Sequence, residues 1–204
     1  MRKMAMVMGM LLMSSTCVFA IPDRAGKVDV GFNIGGLLPD SGSLDDGVYY
    51  GGSVAYGVND WFAVGIEGGY GDAGTSFVIG RATHNAKISR IPLFMDLIFR
   101  CNKFTDSNFI PYGVVGLGAL FTDAHGFGTL TSANLKLDVD NSFAAKFGLG
   151  VDWFVNDRWV LNVEASYVWA AADANIKDLS GGGTVDSANM DYWMIGAGAK
   201  YLFD

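Results

Sequence analysis

The chain has 204 residues, of which 50% are hydrophobic and only 17% charged, with 28 glycines and 4 prolines. Its formal charge of −7 argues against nucleic-acid partners. Beyond the N-terminus there is no run of about eighteen apolar residues, the length that a membrane helix requires. The most apolar stretch, Ser107 to Thr122, is broken by Pro111, Gly113, Gly116 and Gly118. A closed β-barrel is the other architecture that satisfies every backbone polar group in lipid.

Met1, Arg2 and Lys3, followed by an uncharged run from Met4 to Phe19, read as a secretory signal over residues 1–20, with Val18 and Ala20 at the positions a signal peptidase inspects. Cleavage after Ala20 makes Ile21 the first mature residue and leaves 21–204 as one barrel domain. Cys17 as a lipoprotein cysteine is the competing reading, but Ser14, Ser15 and Thr16 do not supply the leucine and small residue expected before it. Losing Arg2 and Lys3, with no Asp or Glu to offset them, takes the formal charge from −7 to −9. Cys101 is then the one remaining cysteine, so no intramolecular disulfide forms in an oxidising compartment.

From residue 27 onward the chain alternates with period two, the mark of strands with one apolar and one polar face. Val28, Val30, Phe32 and Ile34 oppose Asp29, Gly31 and Asn33. Val48, Tyr50, Val54 and Tyr56 oppose Tyr49, Gly51, Ser53 and Ala55, and Phe62, Val64, Ile66 and Tyr70 oppose Ala63, Gly65, Glu67 and Gly69. Ile91, Leu93, Met95, Leu97 and Phe99 oppose Arg90, Pro92, Phe94, Asp96 and Arg100. In the Gly-rich fifth segment Val115, Leu117, Ala119 and Phe121 take the outer face. Phe143, Ala145, Phe147, Leu149, Val151 and Trp153 oppose Lys146, Gly148, Gly150 and Asp152. Trp159, Leu161, Val163, Ala165, Tyr167 and Trp169 oppose Asn162, Glu164 and Ser166, and Trp193, Ile195, Ala197, Ala199, Tyr201 and Phe203 oppose Gly196, Gly198 and Lys200.

Here the bulky residues fill one face while Gly, Ala, Ser and a few charges fill the other, the reverse of a soluble sandwich or lipocalin-like barrel. Short connections at 59–60, 102–107 and 156–158 alternate with longer ones near 38–47, 71–85, 123–140 and 172–189, the rhythm of periplasmic turns and external loops. The expectation is an all-β, eight-stranded antiparallel up-and-down transmembrane barrel in a Gram-negative outer membrane, with both termini periplasmic. Trp153, Trp159, Tyr167, Trp169, Trp193, Tyr201 and Phe203 form its aromatic girdle.

On this parity Asp29, Glu67, Asp96, Asp152 and Glu164 point inward with Arg90, Lys146 and Lys200, and Lys27 lies near the rim. Isolated charges in so narrow an interior are costly, so pairing across strands is expected, either as a structural network or as a gate on a narrow pathway. His84 and His125 fall in loops without a nucleophile beside them, so no catalytic residue, metal or cofactor is expected and the chain is not read as an enzyme. Asp138, Asp140 and Asn141 alternate with Leu137 and Val139 as a strand continuing above the membrane would, rather than as a cation site. Gly181, Gly182 and Gly183 lack a phosphate-loop lysine and read as a flexible loop.

Several pieces resemble the OmpW family of small outer-membrane barrels. They are Pro111-Tyr112 with Val115-Gly116, Leu135-Lys136-Leu137-Asp138 leading to Ser142-Phe143, and Gly148 with Gly150-Val151-Asp152. Asn156-Asp157-Arg158-Trp159 with Leu161-Asn162 and the closing Gly196, Gly198 and Lys200-Tyr201-Leu202-Phe203 complete the set, although Asp204 here follows the usual terminal aromatic. The resemblance implies a minor porin or channel for small hydrophobic molecules. Its expected partners are outer-membrane lipid and lipopolysaccharide, the barrel-assembly machinery with periplasmic chaperones, and a small hydrophobic ligand. A structural or surface-interaction barrel without transport is the other reading.

Overall fold

The computed structural model describes residues 24–40, 45–79, 82–101, 108–126, 135–139, 141–171, 173–178 and 184–204, with side chains outside 75–87, 124–139 and 173–189. The expected signal and Cys17, the glycines at 181–183, and the side chains of His84, His125, Asp138 and Asp140 lie outside what is described. Eleven strands follow one another: β1 (Val28–Pro39), β2 (Gly47–Gly57), β3 (Phe62–Ile79), β4 (Ala82–Arg100), β5 (Phe109–Gly126), β6 (Leu135–Val139), β7 (Ser142–Phe154), β8 (Trp159–Ala170), β9 (Asp173–Asp178), β10 (Thr184–Asn189) and β11 (Tyr192–Phe203). Eight of them close an antiparallel barrel in the order β1-β2-β3-β4-β5-β7-β8-β11, and β6, β9 and β10 form a separate three-stranded sheet.

Closure is made by β1 against β11, in register from Val28 opposite Phe203 to Pro39 opposite Tyr192. This leaves the barrel without an exposed strand edge. Two of the short turns share one device. Asn59 Oδ1 accepts from the amides of Trp61 at 2.9 Å and Phe62 at 2.8 Å. Asn156 Oδ1 accepts from Arg158 at 2.9 Å and Trp159 at 2.8 Å. A short amide side chain that bonds its own backbone two and three residues on replaces the ladder where the chain reverses.

The exterior is apolar: Phe32, Ile34, Ile66, Met95, Leu117, Phe147 and Val163 are exposed, while Asp29, Glu67, Asp96, Lys146 and Asp152 are buried. Ala145 departs from its expected exposure, because its methyl on the outer face lies between Leu117 and Trp169 across the two neighbouring strands and is covered by them. Trp153, Trp159 and Phe203 with half-buried Tyr201 ring the turn end, and Trp169 with half-buried Tyr167 and Trp193 rings the other. Neighbouring rings touch in this belt, with Trp159 and Tyr201 centroids 5.1 Å apart and Tyr167 and Trp193 centroids 5.2 Å apart.

The long connections are where the structure departs from the sequence reading. Residues 71–79 and 82–85 are strand, β3 and β4 staying paired until Ile79 faces Ala82, and β5 runs on to Gly126. About ten tilted residues cross a ~25 Å apolar band, so much of an 18-residue strand such as β3 stands beyond it. A hairpin ladder persists in water when its own backbone satisfies it, and a pattern judged by membrane thickness stops too early. Leu135–Val139 is a strand as its alternation implied, but it pairs with β9 in the second sheet.

Val163 lies midway between Trp159 and Trp169 on β8, while Leu161 sits close to the turn-end belt. Val163→Arg should therefore cost ~2–4 kcal/mol in a lipid refolding titration and Leu161→Arg no more than ~1 kcal/mol. Equal costs, or the reverse order, would contradict this placement of the apolar band.

Candidate functional site

The lumen is filled in layers. At the turn end Ile110, Phe154, Val160 and Leu202 form an apolar floor. Above it three cations share two carboxylates. Arg24 Nη1 lies 3.4 Å from Asp29 Oδ2 and 3.3 Å from Asp152 Oδ2, Arg100 Nη2 pairs with Asp29 Oδ2, and Lys200 Nζ is 2.8 Å from Asp152 Oδ1. The Arg24 guanidinium also stacks 4.4 Å over the Phe154 ring, and Lys200 Nζ lies 4.6 Å over Tyr112.

Arg24 reaches this position because the chain turns into the barrel mouth before β1. Gly26 has φ 79°, a left-handed conformation that favours glycine, and its amide donates to the Gly57 carbonyl at 2.8 Å. The Arg24 amide donates to Asp60 Oδ1 at 3.0 Å.

The next layer inverts the ratio. Lys146 on β7 places its ammonium 2.6 Å from Glu67 Oε2 and 2.8 Å from Asp96 Oδ2, with Glu164 Oε1 at 3.9 Å. Two tyrosines complete the carboxylates from opposite sides. Tyr49 OH donates to Glu67 Oε1 at 3.0 Å, and Tyr112 OH donates to Glu164 Oε2 at 2.9 Å, where Ser166 Oγ donates to Oε1. Each ring needs glycine beneath it: a Cβ at Gly51 or Gly69 would strike Tyr49, and one at Gly150 would strike Tyr112. The inward glycines thus leave the room that the phenols occupy.

Among the described residues small cavities remain, one of ≈ 30 Å³ beside Asn33, Glu67, Asp96, Tyr112 and Lys200, and one of ≈ 20 Å³ beside Asn33, Tyr49, Asn162 and Glu164. Each has room for about one or two waters. Asn33 Oδ1, Asp96 Oδ1 and Asn162 Oδ1 are buried without a protein donor and border this space.

Toward the long-strand end the interior turns apolar, with Leu37, Ile88, Phe94, Leu120, Met190, Tyr192 and Met194 buried together. Arg90 lies in this layer and is fully buried. Pairing across strands was the expectation for every inward charge; it describes seven of the eight candidates, but Arg90 has no carboxylate partner among the described residues. Its guanidinium faces the Met190 sulfur at 3.8 Å and the Tyr192 ring at 4.9 Å. Lys27 pairs outside the lumen with Asp204 at 3.2 Å.

Arg24 and Arg100 are the charges the sequence reading left out of the lumen. Arg24 precedes the first alternating segment and its signal was the Gly26 turn. Arg100 stands on the inward side of its alternating series, and that parity is its signal.

The hydrogen-bonded ladder of the wall is interrupted at one place beside this interior. Between β3 and β4 the pairing runs up to Gly68 opposite Leu93 and resumes at Gly71 opposite Arg90, so Gly69 and Tyr70 have no ladder partner on β4, although Tyr70 OH donates to Ser89 Oγ across the seam at 3.0 Å. Pro92 has no amide hydrogen to give. Its carbonyl faces β3, lying 3.6 Å from where a Cβ on Gly68 would stand, and an antiparallel residue turns its amide side the same way. The other flank of Pro92 stays paired, opposite Leu120 on β5.

Residues 8–203 match the family model described as outer membrane protein beta-barrel domain. The chain belongs to this family. Among solved structures it is similar to OprG from Pseudomonas aeruginosa, at 18% identity and TM-score 0.77 over 90% of this chain and 99% of that one. It is also similar to AlkL, at 20% identity and TM-score 0.56 over 94% of each chain. Outer membrane protein W of E. coli matches at 22% identity and TM-score 0.53, over 88% of this chain and 99% of that one. These likenesses are of fold. A curated outer-membrane protein, y4mB of Sinorhizobium fredii (strain NBRC 101917 / NGR234), is 35% identical over 72 residues, which is 33% of this chain and 29% of that relative's length. The protein is an outer-membrane β-barrel.

Replacing Lys146 by Met leaves buried Glu67 and Asp96 and half-buried Glu164 together with no cation among them. The expected loss is ~3–5 kcal/mol in urea unfolding from vesicles. A loss below ~1 kcal/mol, the range of a solvated surface pair, would contradict the buried arrangement.

Proposed function

We propose that this barrel is a passive route by which small apolar molecules cross the outer face of the membrane and leave sideways into its hydrocarbon. The interruption at Pro92 carries the reading, because it opens the ladder beside the apolar part of the lumen and above the ion-paired layers. A molecule entering at the long-strand end meets Leu37, Ile88, Phe94 and Leu120. Straight onward lie Lys146 and Arg24 with their carboxylates, where an apolar solute gains nothing and would separate paired charges. The seam between β3 and β4 is the remaining exit, and the lipid beyond it is as apolar as the solute.

In this reading the long-strand end faces outward, both termini are periplasmic, residues 1–20 are a cleaved signal, and the chain falls in the OmpW branch of its family. Lipopolysaccharide outside and the barrel-assembly machinery with its chaperones inside are the partners this placement entails, and the chain moves its ligand without chemistry or cofactor. The separate β6, β9 and β10 sheet favours a second reading, a folded external surface that docks onto another molecule without transport.

Pro92→Val restores the missing donor opposite Gly69. Cells carrying the wild-type barrel should take up radiolabelled octane several-fold faster than cells without it, and the variant, folded to the same level by heat-modifiability on gels, should lose most of that gain. Undiminished uptake by Pro92→Val would remove the lateral route. No gain from the wild type would leave the docking reading.

A further inference from the structure

Arg90 is the inward cation that the mechanism above does not use. The other four in the lumen are paired: Lys146 with Glu67 and Asp96, Arg24 with Asp29 and Asp152, Arg100 with Asp29, and Lys200 with Asp152. Arg90 Nε and Nη1 are buried with no hydrogen-bond partner among the described residues, which leaves three of the five guanidinium N–H donors unspent there. Its Nη2 has only a thioether sulfur, a weak acceptor. The burial of such unspent donors is costly.

Position adds a second observation. Arg90 opposes Gly71, the first pair to reform beyond the break, and on β4 it is two residues from Pro92 and so on the same inward face. The guanidinium therefore stands at the interruption in the wall, inside the apolar layer of Leu37, Ile88, Leu120 and Met190. A purely apolar passenger would have no use for it. A planar donor group in an otherwise apolar layer suits a ligand with an apolar chain and one anionic planar head, since guanidinium and carboxylate form short, charge-assisted hydrogen bonds.

We propose that Arg90 is a binding residue for the carboxylate head of an amphipathic monocarboxylate whose chain lies in the apolar layer beside the β3–β4 break. This rests on the lateral-route reading and narrows its ligand class. Head and chain then have separate determinants: the guanidinium holds the anion, and the apolar layer holds the chain. Decanoate and decanol share a chain and differ at the head, so they separate the two.

The test uses the folded, full-length barrel in lipid nanodiscs, with sodium decanoate and decanol as probes and binding corrected for partition into protein-free discs. Wild type should bind decanoate at least about tenfold more tightly than Arg90→Met does, because the head loses a charge-assisted pair, while decanol should bind both alike. In the wild type alone, the Arg90 Nε–H resonance should move on adding decanoate and stay still with decanol, a readout that stands even where the variant fails to insert. Equal decanoate binding by the two proteins, or an Nε–H resonance indifferent to decanoate, would overturn the proposal. If decanol binds while decanoate gains nothing from Arg90, the anchor fails and the apolar route survives. If neither probe binds, the anchor and the route fail together.

Discussion

Lys146 sits wholly out of water at the centre of the barrel, and carboxylates from β3, β4 and β8 offset the desolvation of its ammonium. Glu67 and Asp96 are within 2.8 Å of it, and Glu164 is at 3.9 Å. A charge so placed is stable only while its partners surround it, so the interaction holds four strands at fixed positions around the circumference. A slip of one residue on any of them would turn its carboxylate toward lipid and an apolar side chain toward the ammonium. The tyrosines at 49 and 112 then follow, since each closes a remaining carboxylate oxygen, and the glycines under their rings follow from the tyrosines.

The same layers divide the lumen by chemistry. The turn-end half is ionic and closed, with three cations on two carboxylates and then one cation among three. The long-strand half is apolar. An eight-stranded barrel has an interior just wide enough for side chains to fill, and here the side chains fill it. Function must then come from departures in the filling or in the wall. The interruption at Pro92 is such a departure in the wall, and the unspent donors of Arg90 are one in the filling; they lie two residues apart on one strand.

Much of this was legible in the sequence because a lipid-facing strand obeys one rule, alternation, and obeys it over its full crossing. Val163 and Glu164 could be assigned to opposite faces from their neighbours alone, and the eight crossings followed. What was not legible obeys other rules. The extension of β3 and β4 depends on the ladder satisfying itself in water, where no apolar face is required. Arg24 enters the lumen through a turn at Gly26, outside any alternating run. Pro92 was read as one more inward residue, since the consequence of its missing donor depends on which neighbouring strand its amide side faces, and that is fixed only by the register. Arg90 was expected to be paired because parity gives a direction and not a distance.

A barrel closed by its own ion pairs should not pass ions, whatever it passes through its wall. The direct measurement is the current through the purified, folded wild-type protein in a planar lipid bilayer under applied voltage in salt solution. The filled, ion-paired lumen predicts no discrete steps above the bare membrane. Stable ohmic steps of the size given by water-filled porins would show an open aqueous path through the Lys146 layer and contradict the account.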